Sequence, residues 1–288
     1  MASLRTLAPL AAFVASATAF TGLKTCDADL PMSCQNDTAV EDTCCFVTSG
    51  EILLTQFWDT EPVTGPADSW TIHGLWPNYC GGDYPSNCDS DREYTNITDI
   101  LTEGGAKETL AEMEKYWKDY EGDDESFWEH EWGKHGTCVS TLEPECYGAG
   151  FEPGQDAIHY FATTVKLFKS LPTHKWLADA GITPSASEKY PFKDVKAALE
   201  KQHGASVSLS CDGDKLNEVW YAFNVKGSLQ EGEFKAVDLS GSTSIAGDCS
   251  DQISYPPKTG ANATRSASGF KPQTRPFKPL EPVNVGQN

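Results

Sequence analysis

The chain has 288 residues, ten of them cysteines, and a formal net charge of −20. A protein this acidic projects no global field that gathers polyanions. A nucleic-acid partner would have to be gripped by a small local cluster of cations, or met at acidic pH where carboxylates are partly neutralised.

The N-terminus has Arg5, an apolar run from Leu7 to Ala15, and a small-residue end, ASATA. Residues 1–19 therefore read as a secretory signal peptide, and no later run is apolar enough to span a bilayer. All ten cysteines follow that leader, and an even count on a secreted chain argues for disulfides over metal ligation. Asn36, Asn96 and Asn262 each open an Asn-x-Ser/Thr tripeptide, as expected of a glycoprotein. The expected destination is the cell exterior, with a vacuole or lysosome as the alternative.

Residues 20–255 have the composition of one globular domain. In chain order, EILLTQFW and WTIHGLW have the aromatic and β-branched content of strands. AKETLAEMEKYWKDY places Leu110, Met113 and Trp117 at helical spacing, and GQDAIHYFATTVKLFKSL lines up Ile158, Phe161, Val165 and Phe168 as one apolar stripe. FKDVKAALEKQHG ends in a glycine suited to a helix C-terminus. NEVWYAFNV alternates as a strand, with Val219, Tyr221, Phe223 and Val225 on one face. Helices in the middle with strands on both sides predict an α+β fold, a mainly antiparallel central sheet flanked by helices, rich in disulfides. Residues 256–288 are rich in Pro, Ser, Lys and Arg and poor in aliphatics. They carry five cations against Glu281 alone and read as a disordered basic tail.

The segment FWEHEWGKHGTC, Phe127–Cys138, concentrates the chemically useful groups. Taken as a helix stopped by Gly136, with His130 at the origin, Lys134 falls near about 40°, Phe127 near about 60°, Glu131 near about 100° and His135 near about 140°. Trp128 and Trp132 lie at or beyond the edge of that arc, where they can pack on the body of the protein. The arc argues against a zinc site: the two histidines are five residues apart, not the four that bring both rings to one ion. No metal and no cofactor is expected. Two imidazoles, a carboxylate and an ammonium around one opening suit paired acid–base chemistry, since histidine titrates near neutrality. On these residues alone, a solvated charged face remains an equal alternative.

SWTIHGLWPNYC, Ser69–Cys80, adds His73 between two tryptophans. Together, WTIHGLWP and WEHEWGKHGTC resemble the two active-site segments of the ribonuclease T2 family, the secreted acid ribonucleases. The likeness runs from Cys26 to Cys249 and includes QFWDT and the fungal-type cysteine placement; it does not cover the tail. The resemblance implies cleavage of single-stranded RNA without a metal, by attack of the ribose 2′-OH on phosphorus to leave a 2′,3′-cyclic phosphate and then a 3′-phosphate. It implies low base specificity and no DNA cleavage, because DNA lacks the attacking hydroxyl. It assigns His135 as base and His73 as acid, with the reverse open, His130 as a phosphate ligand, and Glu131 with Lys134 as stabilisers of the five-coordinate phosphorus. Trp76, Asn78 and Tyr84 match the first base site and Phe127 the second. Asn78 stands where related fungal enzymes often carry Asp, and an amide donates as well as accepts. By the same likeness the disulfides would be Cys26–Cys44, Cys34–Cys80, Cys45–Cys146, Cys88–Cys138 and Cys211–Cys249. A monomer is expected, with no membrane partner. The alternative is a family member acting mainly as an RNA-binding or signalling glycoprotein.

Overall fold

A computed structural model describes residues 23–27, 29–35, 40–240 and 249–259. The leader, the tail beyond Thr259, Asn36 and Asn262 lie outside the described residues.

The first strand pair forms where the aromatic and β-branched runs predict it. Strands β1 (Gly50–Phe57) and β2 (Thr71–Tyr79) pair antiparallel, with Leu53 opposite Trp76 and Glu51 opposite Asn78. Helices α1 (Ile97–Glu103), α2 (Lys107–Tyr116) and α3 (Asp124–Lys134) follow, then α4 (Gln155–Ser170), α5 (Thr173–Asp179), a short β3 (Lys189–Pro191) and α6 (Phe192–His203). Strands β4 (Val207–Asp212), β5 (Lys215–Lys226), β6 (Glu233–Ala236) and β7 (Gln252–Ser254) complete the elements of the described residues. Gly204 takes the left-handed conformation at the end of α6, as its position predicts.

The sheet runs β2-β1-β5-β7-β3, with β4 and β6 also on β5. All pairings are antiparallel except the single β5–β7 contact, so the fold is α+β with a mainly antiparallel sheet. Strand alternation gives the sheet two unlike faces. Ile52, Leu54, Val219, Tyr221, Phe223 and Val225 enter the main core with Trp117, Phe161, Val165 and Phe168 from the helices. Leu53, Trp220 and Ala222 form a smaller cluster on the opposite face, joined by Trp76.

Two segments differ from expectation. The folded unit does not end at Tyr255. Trp58 Nε1 donates to the Pro256 carbonyl at 2.8 Å, and the buried Lys258 ammonium donates to the Thr64 and Ser69 carbonyls at 2.8 and 2.9 Å. Composition reads Pro-Pro-Lys as linker because it cannot see a lysine whose partners are distant backbone oxygens. Two disulfides also need correction. Cys26 pairs with Cys45 and Cys44 with Cys146, in place of Cys26–Cys44 and Cys45–Cys146. Cys44 and Cys45 share a 3₁₀ turn, Thr43–Cys45, in which neighbouring side chains diverge by about 120°. Cys44 faces the cluster of Cys146 and Tyr147, which turns Cys45 toward Cys26. The structure pairs Cys34 with Cys80, Cys88 with Cys138, and Cys211 with Cys249.

The loop between β2 and α1 is fixed to α4 and to the turns that follow α3 by Arg92. Its buried guanidinium contacts Asp89 at 2.7 Å, Glu143 at 2.8 Å and Asp156 at 3.3 Å, and donates to the Leu142 and Thr137 carbonyls. Arg92→Met would leave the fully buried Asp156 uncompensated. The expected loss is about 3–5 kcal/mol in urea unfolding, and a loss under about 1 kcal/mol, the size of a surface pair, would rule this role out.

Candidate active site

His73 reaches the site through a break in strand register. Trp70, Ile72 and Leu75 belong to the main core while Trp76 packs on the opposite face, so strict alternation would send His73 into the core with Leu75. The β1–β2 register shifts at this point, with Thr55 opposite Gly74 and Gln56 opposite Ile72. This bulge puts His73 and Gly74 on the same face as Trp76, the re-aiming that bulges perform near active sites. The Thr55 hydroxyl stitches the kink, accepting from Gly74 N at 3.1 Å and lying 3.3 Å from the Gly74 carbonyl.

Helix α3 supplies the other groups. The Asp123 side chain accepts from Ser126 N at its start, and acidic Asp124 and Glu125 occupy the first turn, which complements the helix dipole. The helix ends at Lys134 with His135 as the capping residue. Gly136 therefore does not act as a left-handed stop; it opens a 3₁₀ turn, Gly136–Cys138. It is glycine because a Cβ there would strike the Trp132 ring. Trp128 and Trp132 are buried, as their place outside the arc predicts. The Tyr160 hydroxyl on α4 donates to the Leu75 carbonyl at 2.9 Å and lies 3.3 Å from the Glu131 carbonyl, tying α4, β2 and α3 together beneath the site.

These elements gather the groups around Trp76. The His73 ring meets Trp76 edge-on at 4.6 Å, and the His135 ring stacks on Trp76 at 5.1 Å. Trp76 Nε1 donates to Glu131 Oε2 at 2.8 Å, and Glu131 Oε1 lies 3.9 Å from His73 Nε2. Phe127 lies 5.9 Å from His73, and Tyr84 6.5 Å from His135. His130 is partly exposed and Lys134 half-buried. Asn78 is buried opposite Glu51, two pairs along the strands from Trp76. Trp76 differs from a free stacking platform: His135 stacks on one face and Trp220 meets it edge-on at 5.3 Å. Trp76 thus spaces the two histidines and holds Glu131.

Burial dominates the electrostatics. Glu131 is 1% exposed, and burial pushes its carboxyl up to about 7 against the lowering pull of His73, the Trp76 hydrogen bond and Lys134. His135 is 3% exposed; burial first, then the Lys134, His73 and His130 charges, hold its imidazole well below its ordinary value. His130 is lowered by partial burial, Lys134 and His73, and Lys134 is lowered by burial against the opposing Glu131. Glu131 Oε1 and His135 Nδ1 are buried without a hydrogen-bond partner among the described residues. Buried unpaired polar atoms cost stability, and they mark where an incoming ligand gains most. Below about 7 the group about Trp76 therefore combines a neutral carboxyl, Glu131, with the His73 and His135 imidazoles.

Sequence reasoning missed Glu218. It lies on β5, on the face opposite Val219 and Tyr221, and its Oε1 is 2.6 Å from His73 Nδ1. Its signal was a lone carboxylate alternating with apolar residues on a strand whose other face builds the core.

Gly74 sits at the tightest point. A Cβ there would collide with Glu131 Oε2 and Trp76 Nε1. Gly74→Ala is expected to displace both groups and lower kcat by about 10²-fold, the effect of a misplacement of about 1 Å. Steady-state kinetics with a circular dichroism control checks this, and unchanged kcat in the folded variant would show that the crowding has no catalytic consequence.

Among the described residues no helix is long and apolar enough to cross a membrane, and no three His, Cys, Asp or Glu side chains gather as a metal-holding group. The Ribonuclease T2 family model matches residues 49–236. Ribonuclease Trv of Hypocrea rufa is 60% identical over 235 residues, spanning 82% of this chain and 99% of that protein. Ribonuclease T2 of Aspergillus oryzae is 50% identical over 249 residues, 85% of this chain and 88% of that protein. Among solved structures, Actibind, described as a T2 ribonuclease, superposes with a TM-score of 0.77 at 46% identity, covering 82% of this chain and 99% of that one.

Proposed function

The chain belongs to the ribonuclease T2 family and is an RNA-cleaving enzyme, and from that premise we propose that it cuts single-stranded RNA by transphosphorylation. The observation that carries this reading is the placing of His73 and His135 about a single indole, Trp76, whose Nε1 holds Glu131.

In the first step His135 takes the 2′-OH proton, the 2′-oxygen bonds to phosphorus, the P–O5′ bond breaks, and His73 gives a proton to the leaving oxygen. The product is the 2′,3′-cyclic phosphate. In the slower second step the two exchange roles, and water opens the ring to a 3′-phosphate. The burial of His135 supports its role as base, because it stays neutral at acidic pH. Lys134, with His73 in its charged form, supplies the cations for the phosphate and His130 a further ring nitrogen, which reconciles a polyanionic substrate with a chain of charge −20. Glu131, neutral below about 7, offers a carboxyl hydrogen rather than a like charge to the phosphoryl oxygens. Tyr84 and Phe127, at the two ends of the group, suit stacking of successive bases, and such stacking tolerates every base. Secretion after loss of residues 1–19, glycosylation at the exposed Asn96, a monomeric state and indifference to DNA belong to the same reading.

The test is incubation with dinucleoside monophosphates in excess EDTA. The expected result is accumulation of the cyclic phosphate, its slow conversion to the 3′-phosphate, and no cleavage of the deoxy analogue. Failure to form the cyclic product, or its loss on chelation, overturns the proposal.

A further inference from the structure

We propose that Glu218 is a positioning residue for catalysis: it fixes the tautomer and the plane of His73, so that only Nε2 exchanges protons with substrate. This deepens the ribonuclease reading and rests on it.

Glu218 comes from β5, two strands from β2, and is 145 residues from His73 in the chain. It pairs directly with Phe57 on the intervening strand β1. The Phe57 ring stacks on the His73 imidazole at 4.0 Å and 20°, while the Glu218 carboxylate holds the ring edge at Nδ1, at 2.6 Å. Trp76 adds an edge contact at 4.6 Å. The imidazole is thus held on a face and at one nitrogen, and the other nitrogen, Nε2, is turned toward Glu131.

The chemistry follows from what each group can offer. An ionised carboxylate only accepts hydrogen bonds, so Nδ1 carries its hydrogen in both charge states of the ring. The charged ring has hydrogens on both nitrogens, and the neutral ring keeps the one on Nδ1. Proton transfer therefore occurs at Nε2 alone. After the leaving oxygen takes that proton, the neutral tautomer left behind is the one Glu218 already holds. No ring reorientation is needed before the second step returns a proton to Nε2. A carboxylate orienting the catalytic imidazole through its distal nitrogen is the logic of the hydrolytic triad, met here in phosphoryl transfer. A purely structural side chain between β5 and β2 would not require a carboxylate, whose burial is unfavourable.

Other titratable groups face His73: Glu131, His130 and His135 from α3 and its end, and Asp59 following β1. Glu218 is distinguished from these by its direct hydrogen bond at Nδ1.

The test combines Glu218→Ala, Glu218→Gln and Glu218→Asp with ¹⁵N-histidine NMR of the full protein. Glu218→Ala is expected to lower kcat for the cyclising step by roughly 10²-fold or more, with KM unchanged, since orientation acts on the transition state. The alkaline limb of its pH–rate profile should move to lower pH, because the imidazolium has lost its nearest counter-charge. Glu218→Asp should recover most of kcat. Glu218→Gln should keep the fold without restoring the limb. In the wild type, neutral His73 should carry its hydrogen on Nδ1, and in Glu218→Ala it should populate both tautomers. Wild-type kcat and profile in Glu218→Ala overturn the proposal, as does an Nε2–H tautomer in the wild-type protein, a reading available even if the alanine variant fails to fold. If the wild type makes no cyclic phosphate, the ribonuclease mechanism fails, while the tautomer result still decides the role of Glu218.

Discussion

Replacing His135 or His73 with phenylalanine is expected to lower kcat for RNA cleavage by at least about 10²–10⁴-fold each, the range for a general base or acid. The double variant should lose little more than either single one, because groups acting on one proton relay are not additive. Both rings pack on Trp76, so phenylalanine preserves the apolar contacts while deleting the nitrogens. The same assignment fixes the sign of the pH dependence. His135 is held well below its ordinary value by burial, so the base is ready throughout the mildly acidic range. His73 must be charged to act as acid, which fails as pH rises. Glu131 ionises near about 7 and then adds a negative charge beside the phosphate. Activity should peak below neutrality and fall above it, and a profile that peaks above pH 8 would refute these roles.

The second large effect is at Glu131, where activity and stability should move in opposite directions. Glu131→Ala is expected to lower kcat by roughly 10²–10³-fold, the magnitude for one preorganised donor to a developing oxyanion. Glu131→Gln should lose less, since its amide still accepts from Trp76 and still donates. The linkage runs against the usual carboxylate case. The folded value, about 7, lies above the ordinary 4.5, so between those limits the folded protein keeps a proton that the unfolded chain releases. Stability therefore falls as pH rises through that window, and the loss is complete above about 7. Glutamine does not titrate. Calorimetry should find Glu131→Gln more stable than the wild type at pH 8 and close to it at pH 4.5. A lower melting temperature than wild type at pH 8 would show that the buried carboxylate is compensated after all.

The parts of this molecule that were legible in its sequence are those set by local periodicity. The arc of His130, Glu131, Lys134 and His135 follows from helical spacing, and the core face of β5 from alternation at Val219, Tyr221, Phe223 and Val225. The less legible parts depend on partners distant in sequence. Nothing near His73 announces the bulge that turns it away from Leu75, and nothing near Glu218 names its partner. Trp76 was readable as an aromatic in the site, but its service to Glu131 and His135 requires α3 to be docked. The disulfide exchange at Cys44 and Cys45 turns on one residue of a 3₁₀ turn, finer than cysteine spacing resolves. The seven-residue α1 and α5 lack a side-chain cap hydrogen bond, so neither gives a strong signal.

The loop that carries Tyr84 is cross-linked at both ends: Cys80, closing β2, binds Cys34, and Cys88 binds Cys138, three residues past His135. Asn87 N also donates to the Lys134 carbonyl at 3.0 Å. One reducing event at Cys88–Cys138 would therefore loosen the Tyr84 loop and the turn that seats His135 together.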